Sequence, residues 1–212
     1  MKISKQINKL FFGLSFLFLS CGQTEKLPIL GPKETIEING KVDTIYHQIP
    51  DFSLINQDSL EYGTKDLEGK VFVADFFFTT CPTICPVMKT QLLRVHEKFK
   101  EEEDFKIISI SIDPNYDKPS ILKDFSNKLS IDNHQWNFLT GDQAKIFELG
   151  EKEFLVTTQK DENELGGYLH SGAFLLIDRN RRIRGIYDGT QEDQVNDLIR
   201  DIERVKSGSR AE

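Results

Sequence analysis

Apolar and polar positions along the chain fall into blocks of different period. Leu10 to Leu19 is apolar apart from Gly13 and Ser15, and it follows a segment carrying Lys2, Lys5 and Lys9. That block is short for a bilayer span and has the length of a signal-peptide core. Thr35 to Tyr46 alternates around Asn39-Gly40, two residues that tolerate positive φ, which predicts a β-hairpin. Ile49 to Leu54 leads into a short strand, Asn56-Gln57-Asp58 turns, and Ser59 to Tyr62 pairs back. Val71 to Phe78 is apolar on both faces except for Asp75, as expected of a central parallel strand. Ile84, Met88, Leu92, Val95 and Phe99 then recur at helical spacing, with Pro86 in the first turn, where its missing N–H costs nothing.

The acidic run Glu101-Glu102-Glu103-Asp104 has the wrong sign for a helix C-terminus and reads as a solvated connection. Lys106 to Asp113 is a second core strand. A helix starts at Asp117-Lys118-Pro119-Ser120 and runs to about Leu129. A short strand, Asn137 to Leu139, precedes a third helix that Asp142 caps and that runs to about Gly150. Phe154 to Gly167 is a long polar segment, of the kind that is usually functional or mobile. A hairpin follows, Ala173 to Asp178 and Arg182 to Tyr187 around Asn180-Arg181. The last helix is Gln191 to Lys206, with Val195, Leu198, Ile199 and Ile202 inward. Strand, helix, strand, helix, then hairpin and helix is a thioredoxin-like α/β layout. It predicts a central mixed sheet flanked by helices, with extra N-terminal β-hairpin strands.

The 212 residues suffice for one sizeable core. The formal net charge of −7, with no Lys/Arg block, argues against a nucleic-acid surface. The N-terminal block ends Phe18-Leu19-Ser20-Cys21-Gly22, a small residue and then Cys, as at a bacterial lipoprotein cleavage site, although Phe18 stands where that pattern usually has Leu. Residues 1–20 are therefore expected to be a signal peptide. Cys21 is expected to be the lipidated first residue of a membrane-anchored, extracytoplasmic (periplasmic) chain. Residues 21–34 form a tether and residues 35–212 the domain.

Of three cysteines, Cys81 and Cys85 remain for the domain. One close pair does not staple an exported domain of this size, which moves the expectation toward redox chemistry or metal binding. The pair sits at a strand-to-helix junction, Thr79-Thr80-Cys81-Pro82-Thr83-Ile84-Cys85-Pro86. On a helical turn, spacing i, i+4 puts the two Cα atoms about 6 Å apart, within disulfide range and within reach of one metal ion. A helix N-terminus favours thiolate, which is both nucleophile and metal ligand. Spacing alone thus leaves redox and metal chemistry open, while the flanking prolines argue against two merely structural cysteines. Of the histidines, His47 and His134 lie in polar turns and read as solvated, and His96 reads as a helix flank. His170 directly precedes a core strand, where this fold brings a loop against the cysteine junction, and is a candidate third ligand. Two thiolates and an imidazole suit copper, Cu(I) through the thiolates and Cu(II) with the imidazole. A closed zinc site normally takes a fourth ligand.

From about Ile49 to Lys206 the chain resembles the Sco/SenC family of copper-binding, thioredoxin-like proteins. The resemblance lies in Pro50-Asp51-Phe52, in Phe77-Phe78-Thr79-Thr80-Cys81-Pro82-Thr83-Ile84-Cys85-Pro86, and in Ser111-Ile112-Asp113-Pro114 followed by Asp117 and Pro119. Leu139-Thr140-Gly141 and His170-Ser171 complete it. It implies copper ligands at Cys81, Cys85 and His170, and a role in delivering copper to, or reducing the thiols of, the dinuclear copper site of cytochrome c oxidase. The implied partners are the copper-bearing oxidase subunit and a thioredoxin-like reductant. Leu169 departs from the acidic residue that many relatives carry before the His. The alternative is an extracytoplasmic thiol-disulfide oxidoreductase with Cys81 and Cys85 as its redox pair. Its usual motif has two residues between the cysteines and a preceding Trp; here there are three, preceded by Thr80. A peroxiredoxin needs Thr or Ser three residues before its reactive Cys, where this chain has Phe78.

Overall fold

The computed structural model describes residues 26–38, 40–131, 133–161 and 168–208, and of Lys160, Leu169 and His170 it describes only the backbone. The expected N-terminal hairpin forms from β1 (Lys33–Ile38) and β2 (Lys41–Tyr46), closing at Ile38↔Lys41. Gly40 takes φ +76°, which the turn requires, and Asn39 lies outside the described residues. Residues ahead of β1 already lie along the domain: the Leu30 N–H donates to Ile183 O at 2.8 Å, and Arg184 donates to Pro28 O at 3.0 Å.

The main sheet is built from β3 (Ser53–Asn56), β4 (Glu61–Gly63), β5 (Val71–Phe77), β6 (Phe105–Ser111), β7 (Trp136–Thr140), β10 (Ala173–Ile177) and β11 (Ile183–Asp188). Its order is β11-β10-β5-β6-β7-β3-β4. β5 runs parallel to β6, from Val71↔Phe105 to Phe77↔Ser111, and β6 parallel to β7; the remaining pairings are antiparallel. All seven residues of β5 are buried, as its uninterrupted apolar run demands. The helices are α1 (Cys85–Phe99), α2 (Pro119–Leu129), α3 (Gln143–Glu148) and α4 (Glu192–Gly208). α3 is capped by Asp142, whose Oδ1 accepts from Lys145 N at 3.0 Å, and continues into a π-helical turn, Leu149–Glu153. This is the mixed sheet with flanking helices of a thioredoxin-like fold. Its core is rich in phenylalanine, with Phe72, Phe76, Phe77, Phe78, Phe138 and Phe174 fully buried.

Four local expectations are corrected. The polar segment after Phe154 contains β8 (Thr158–Lys160), which pairs with β9 (Tyr168–His170) in the register Thr158↔His170. The acidic run is not merely solvated: Lys206 bonds Glu102 at 2.6 Å and Asp104 at 2.5 Å, and Arg179 bonds Asp104 at 2.6 Å. Burial alone would raise the Asp104 pKa, but these two cations outweigh it and hold the carboxyl below its usual range. The run thus ties the end of α4 to the start of β6. His96 is buried, with Nδ1 2.7 Å from Gln135 Oε1. His47 is half-buried, with Nε2 2.8 Å from Glu153 O, so it anchors the base of the hairpin and is not solvated.

Candidate metal centre

β5 ends at Phe77, and the chain turns through Thr79-Thr80 with Cys81 N–H donating to Phe78 O at 3.3 Å. Cys85 is the first residue of α1 and Pro86 follows it in the first turn. Cys81 therefore precedes the helix and does not share a helical turn with Cys85. The loop folds back all the same, and the Cys85 thiol is hydrogen-bonded to Cys81. Both cysteines are reduced and buried, 6% and 4% exposed. They lie just below a surface that includes exposed Pro82, Thr83, Pro86 and Val87. Cys81 Sγ is 3.5 Å from Thr83 Oγ1.

A lowered thiol pKa at the helix start is not what Cys85 has. Its shared hydrogen bond with Cys81, and then its burial, push the thiol well above its ordinary range. The Lys89 cation and a backbone hydrogen bond from Phe78 pull the other way without reversing the shift. α1 has no side-chain cap at Ile84, so its first-turn amides add a further pull toward an anion. Cys81 and Cys85 would together hold one soft metal ion, each giving up its own proton to bind as a thiolate.

Asp117 holds the loop in place. This carboxylate is fully buried. It accepts from Thr79 N at 3.0 Å, from the Thr79 hydroxyl, and from the Ser111 hydroxyl at 2.5 Å. Burial raises its pKa against the pull of Ser111 and Thr79. Asp117 stands two residues before α2, which begins after Lys118 with no side-chain cap. Its side chain serves the thiol loop instead.

β9, which carries His170, is docked beside this loop. The Tyr168 ring packs on Phe78 at 5.3 Å between centroids, and its hydroxyl donates to Asp113 Oδ1 at 2.9 Å. On the other side, a Cβ at Gly172 would lie 3.5 Å from Cδ1 of Ile84, the residue between Thr83 and Cys85. Position 170 is thus bracketed by contacts on both sides of the thiol pair. The side chain of His170 and all of Cys21 lie outside what is described. Among the described residues, no three His, Cys, Asp or Glu side chains gather as a metal site.

One turn along α1 from Cys85 lies a buried polar cluster. Lys89 bonds Asp75 at 2.7 Å and Ser109 Oγ at 3.1 Å, and sits 4.0 Å above the Phe77 ring. The Ser109 hydroxyl donates to Asp75 and accepts from Trp136 Nε1 at 2.9 Å. Asp75 was visible as the one charge in an apolar strand, and a buried carboxylate requires a partner. That the partner is Lys89 was hidden, because the residue sits inside the apolar stripe of α1. The role of Asp117 was hidden because its partner Thr79 lies 38 residues away in the chain.

Known proteins resemble this chain in sequence and fold. The SCO1/SenC family model matches residues 43–207. A SCO1 protein homolog of Bacillus subtilis is 33% identical over 206 residues, 96% of this chain and 98% of that one. The chain belongs to the SCO1/SenC family. Among solved structures, a SCO1/SenC family lipoprotein of Bacillus anthracis superposes with TM-score 0.70 at 39% identity, covering 76% of this chain and 95% of the other. BsSco, a Sco-family cytochrome c oxidase assembly protein with a disulfide switch, gives 0.67 at 32% identity, covering 76% and 94%. Copper-bound ScoI of Arabidopsis thaliana gives 0.61 at 25%, covering 73% and 98%.

Proposed function

We propose that this SCO1/SenC protein is a copper carrier that takes Cu(I) or Cu(II) on Cys81, Cys85 and His170 and assists assembly of the dinuclear copper site of cytochrome c oxidase. The observation that carries the reading is the reduced Cys81–Cys85 contact at the β5–α1 junction, with β9 docked beside it. The donor set fits the cargo: two thiolates select soft Cu(I), and an imidazole adds a ligand for Cu(II). Positions 168 and 170 share a face of β9, because a strand repeats every two residues. The copper-bound Arabidopsis relative and the oxidase-assembly role of BsSco support the reading.

His170→Ala provides the test. Cu(I) can stay on two thiolates, whereas Cu(II) depends more on the imidazole. The variant is expected to lose Cu(II) affinity by at least about tenfold more than Cu(I) affinity. In cells it fails to support oxidase copper content while still exchanging thiols in vitro. Normal oxidase assembly with His170→Ala, alongside failure of the cysteine variants, favours the second reading, a thiol-disulfide oxidoreductase acting on oxidase thiols and recharged by a thioredoxin-like reductant. The hydrogen-bonded thiol pair favours that reading, since the two sulfurs are already in contact.

The same proposal includes lipid on Cys21, which holds the domain on the extracytoplasmic face of the membrane. Among the described residues no helix is long and apolar enough to cross a membrane. The cleavage pattern before Cys21 and the lipoprotein relative of Bacillus anthracis support anchoring by lipid. Several acyl chains together anchor stably, whereas one does not. Mass spectrometry of the mature protein is expected to find an acylated N-terminal Cys21. An unmodified terminus beyond Cys21 rules this out.

A further inference from the structure

The copper reading leaves one buried charged group without a task. Lys89 lies one helical turn after Cys85 on the buried face of α1, and Asp75 lies six residues before Cys81 on β5. Both are enclosed, 4% and 0% exposed. Every strong partner in the cluster is accounted for: Asp75 accepts from Lys89 and Ser109, and Ser109 accepts from Lys89 and Trp136. A closed network of this kind holds its charges in place. Replacing a buried ion pair by apolar residues is often neutral or stabilising, so stability alone does not explain the pair.

We propose that Lys89 and Asp75 are positioning residues that set the balance between Cu(I) and Cu(II) on the thiol pair. Lys89 is the fixed cation that favours the more negative Cu(I)-dithiolate, and Asp75 is the counter-charge that limits it. The inference rests on the copper-carrier reading. Its physical basis is the charge of the two loaded forms. Cu(I) on two thiolates carries one negative charge, and Cu(II) on the same ligands carries none. Reduction takes up one electron at the metal and leaves the ligands unchanged, so a nearby positive charge stabilises the reduced form and raises the potential. At low local dielectric, such an effect reaches a site one helical turn away.

The two halves of the pair therefore act with opposite sign. With the full-length chain loaded with copper, Lys89→Met is expected to shift the Cu(II)/Cu(I) equilibrium about tenfold toward Cu(II), a fall of about 60 mV for a one-electron couple. Asp75→Asn leaves Lys89 uncompensated and is expected to shift it by a similar factor toward Cu(I). The double variant Asp75→Asn/Lys89→Met removes both charges and is expected to return near the wild-type value, and it guards against misfolding caused by a single unpaired buried charge. A merely structural pair loosens the site in either single variant and moves both potentials the same way. That result, or no shift in either, overturns the proposal. A wild-type chain that binds copper with potentials unaffected by the variants refutes this inference alone. A wild-type chain that takes up no copper refutes the carrier reading and this inference with it.

Discussion

The Cys81→Ala/Cys85→Ala chain is expected to take up no copper under conditions where the wild type is expected to take up one ion per chain. The size of the effect follows from the donor set. Both thiolates are removed and one imidazole remains, a donor that by itself does not select a soft ion. The single variants keep one sulfur and are expected to bind weakly, with the thiol–thiol hydrogen bond gone. The fold is expected to survive. Each thiol is small, and truncating a small buried group costs on the order of 1 kcal/mol. β5 and α1 are held by Phe76, Phe77, Met88, Leu92 and Val95, all buried and none dependent on the sulfurs. Metal analysis after gel filtration checks the stoichiometry, and urea unfolding checks the fold. Full copper stoichiometry in the double variant places the site elsewhere and removes the basis of the carrier reading.

Much of this architecture was legible in the sequence because its signals are strong and local. The apolar run of β5, the helical stripe from Met88 to Phe99 and the Asn39-Gly40 turn each specify one period or one backbone geometry. The mixed sheet with flanking helices follows from how few ways parallel strands and crossover helices can be connected. Long-range polar pairings were not legible. Asp117 pairs with Thr79 across 38 residues, and Lys206 pairs with Asp104 across 102. In each case the residue type at one end fits a bland local role, as a polar helix-start residue, a solvated acid or a helix-end cation. Only the fold brings the partners together. The state of the thiols was hidden for a related reason. A helix N-terminus suggests a lowered pKa, but the hydrogen bond of the Cys85 thiol to Cys81, and then its burial, dominate. β8 is not legible in the sequence because its three polar residues, Thr158 to Lys160, carry no hydrophobic period.

The hidden pairing with the largest expected consequence is that of Asp117. In Asp117→Ala, the Thr79 amide, the Thr79 hydroxyl and the Ser111 hydroxyl lose their shared acceptor. Each buried donor left unmatched costs about 1–3 kcal/mol, and partial hydration through the small cavity offsets some of the sum. A loss of about 3 kcal/mol is expected. Asp117→Asn keeps one oxygen but turns an amide N–H₂ toward a donor, and is expected to cost about 1–2 kcal/mol. The pH dependence separates hydrogen bonding from charge. The folded Asp117 carboxyl holds its proton to a higher pH than the unfolded one, because burial outweighs the donors around it. Its titration therefore favours the folded state most below the unfolded carboxyl range, and that contribution is lost as pH rises through the raised folded value. The wild-type advantage over Asp117→Asn is accordingly expected to be larger in acid than at neutral pH, since Asn has no proton to hold. Urea midpoints at both pH values, at unchanged m, measure this. Thr79 stands two residues before Cys81, so loss of its anchor also frees the thiol loop. Copper-loaded Asp117→Ala should therefore give a broader Cu(II) signal than the wild type. An alanine variant as stable as the wild type, with a sharp Cu(II) signal, shows that the loop is held by something other than Asp117.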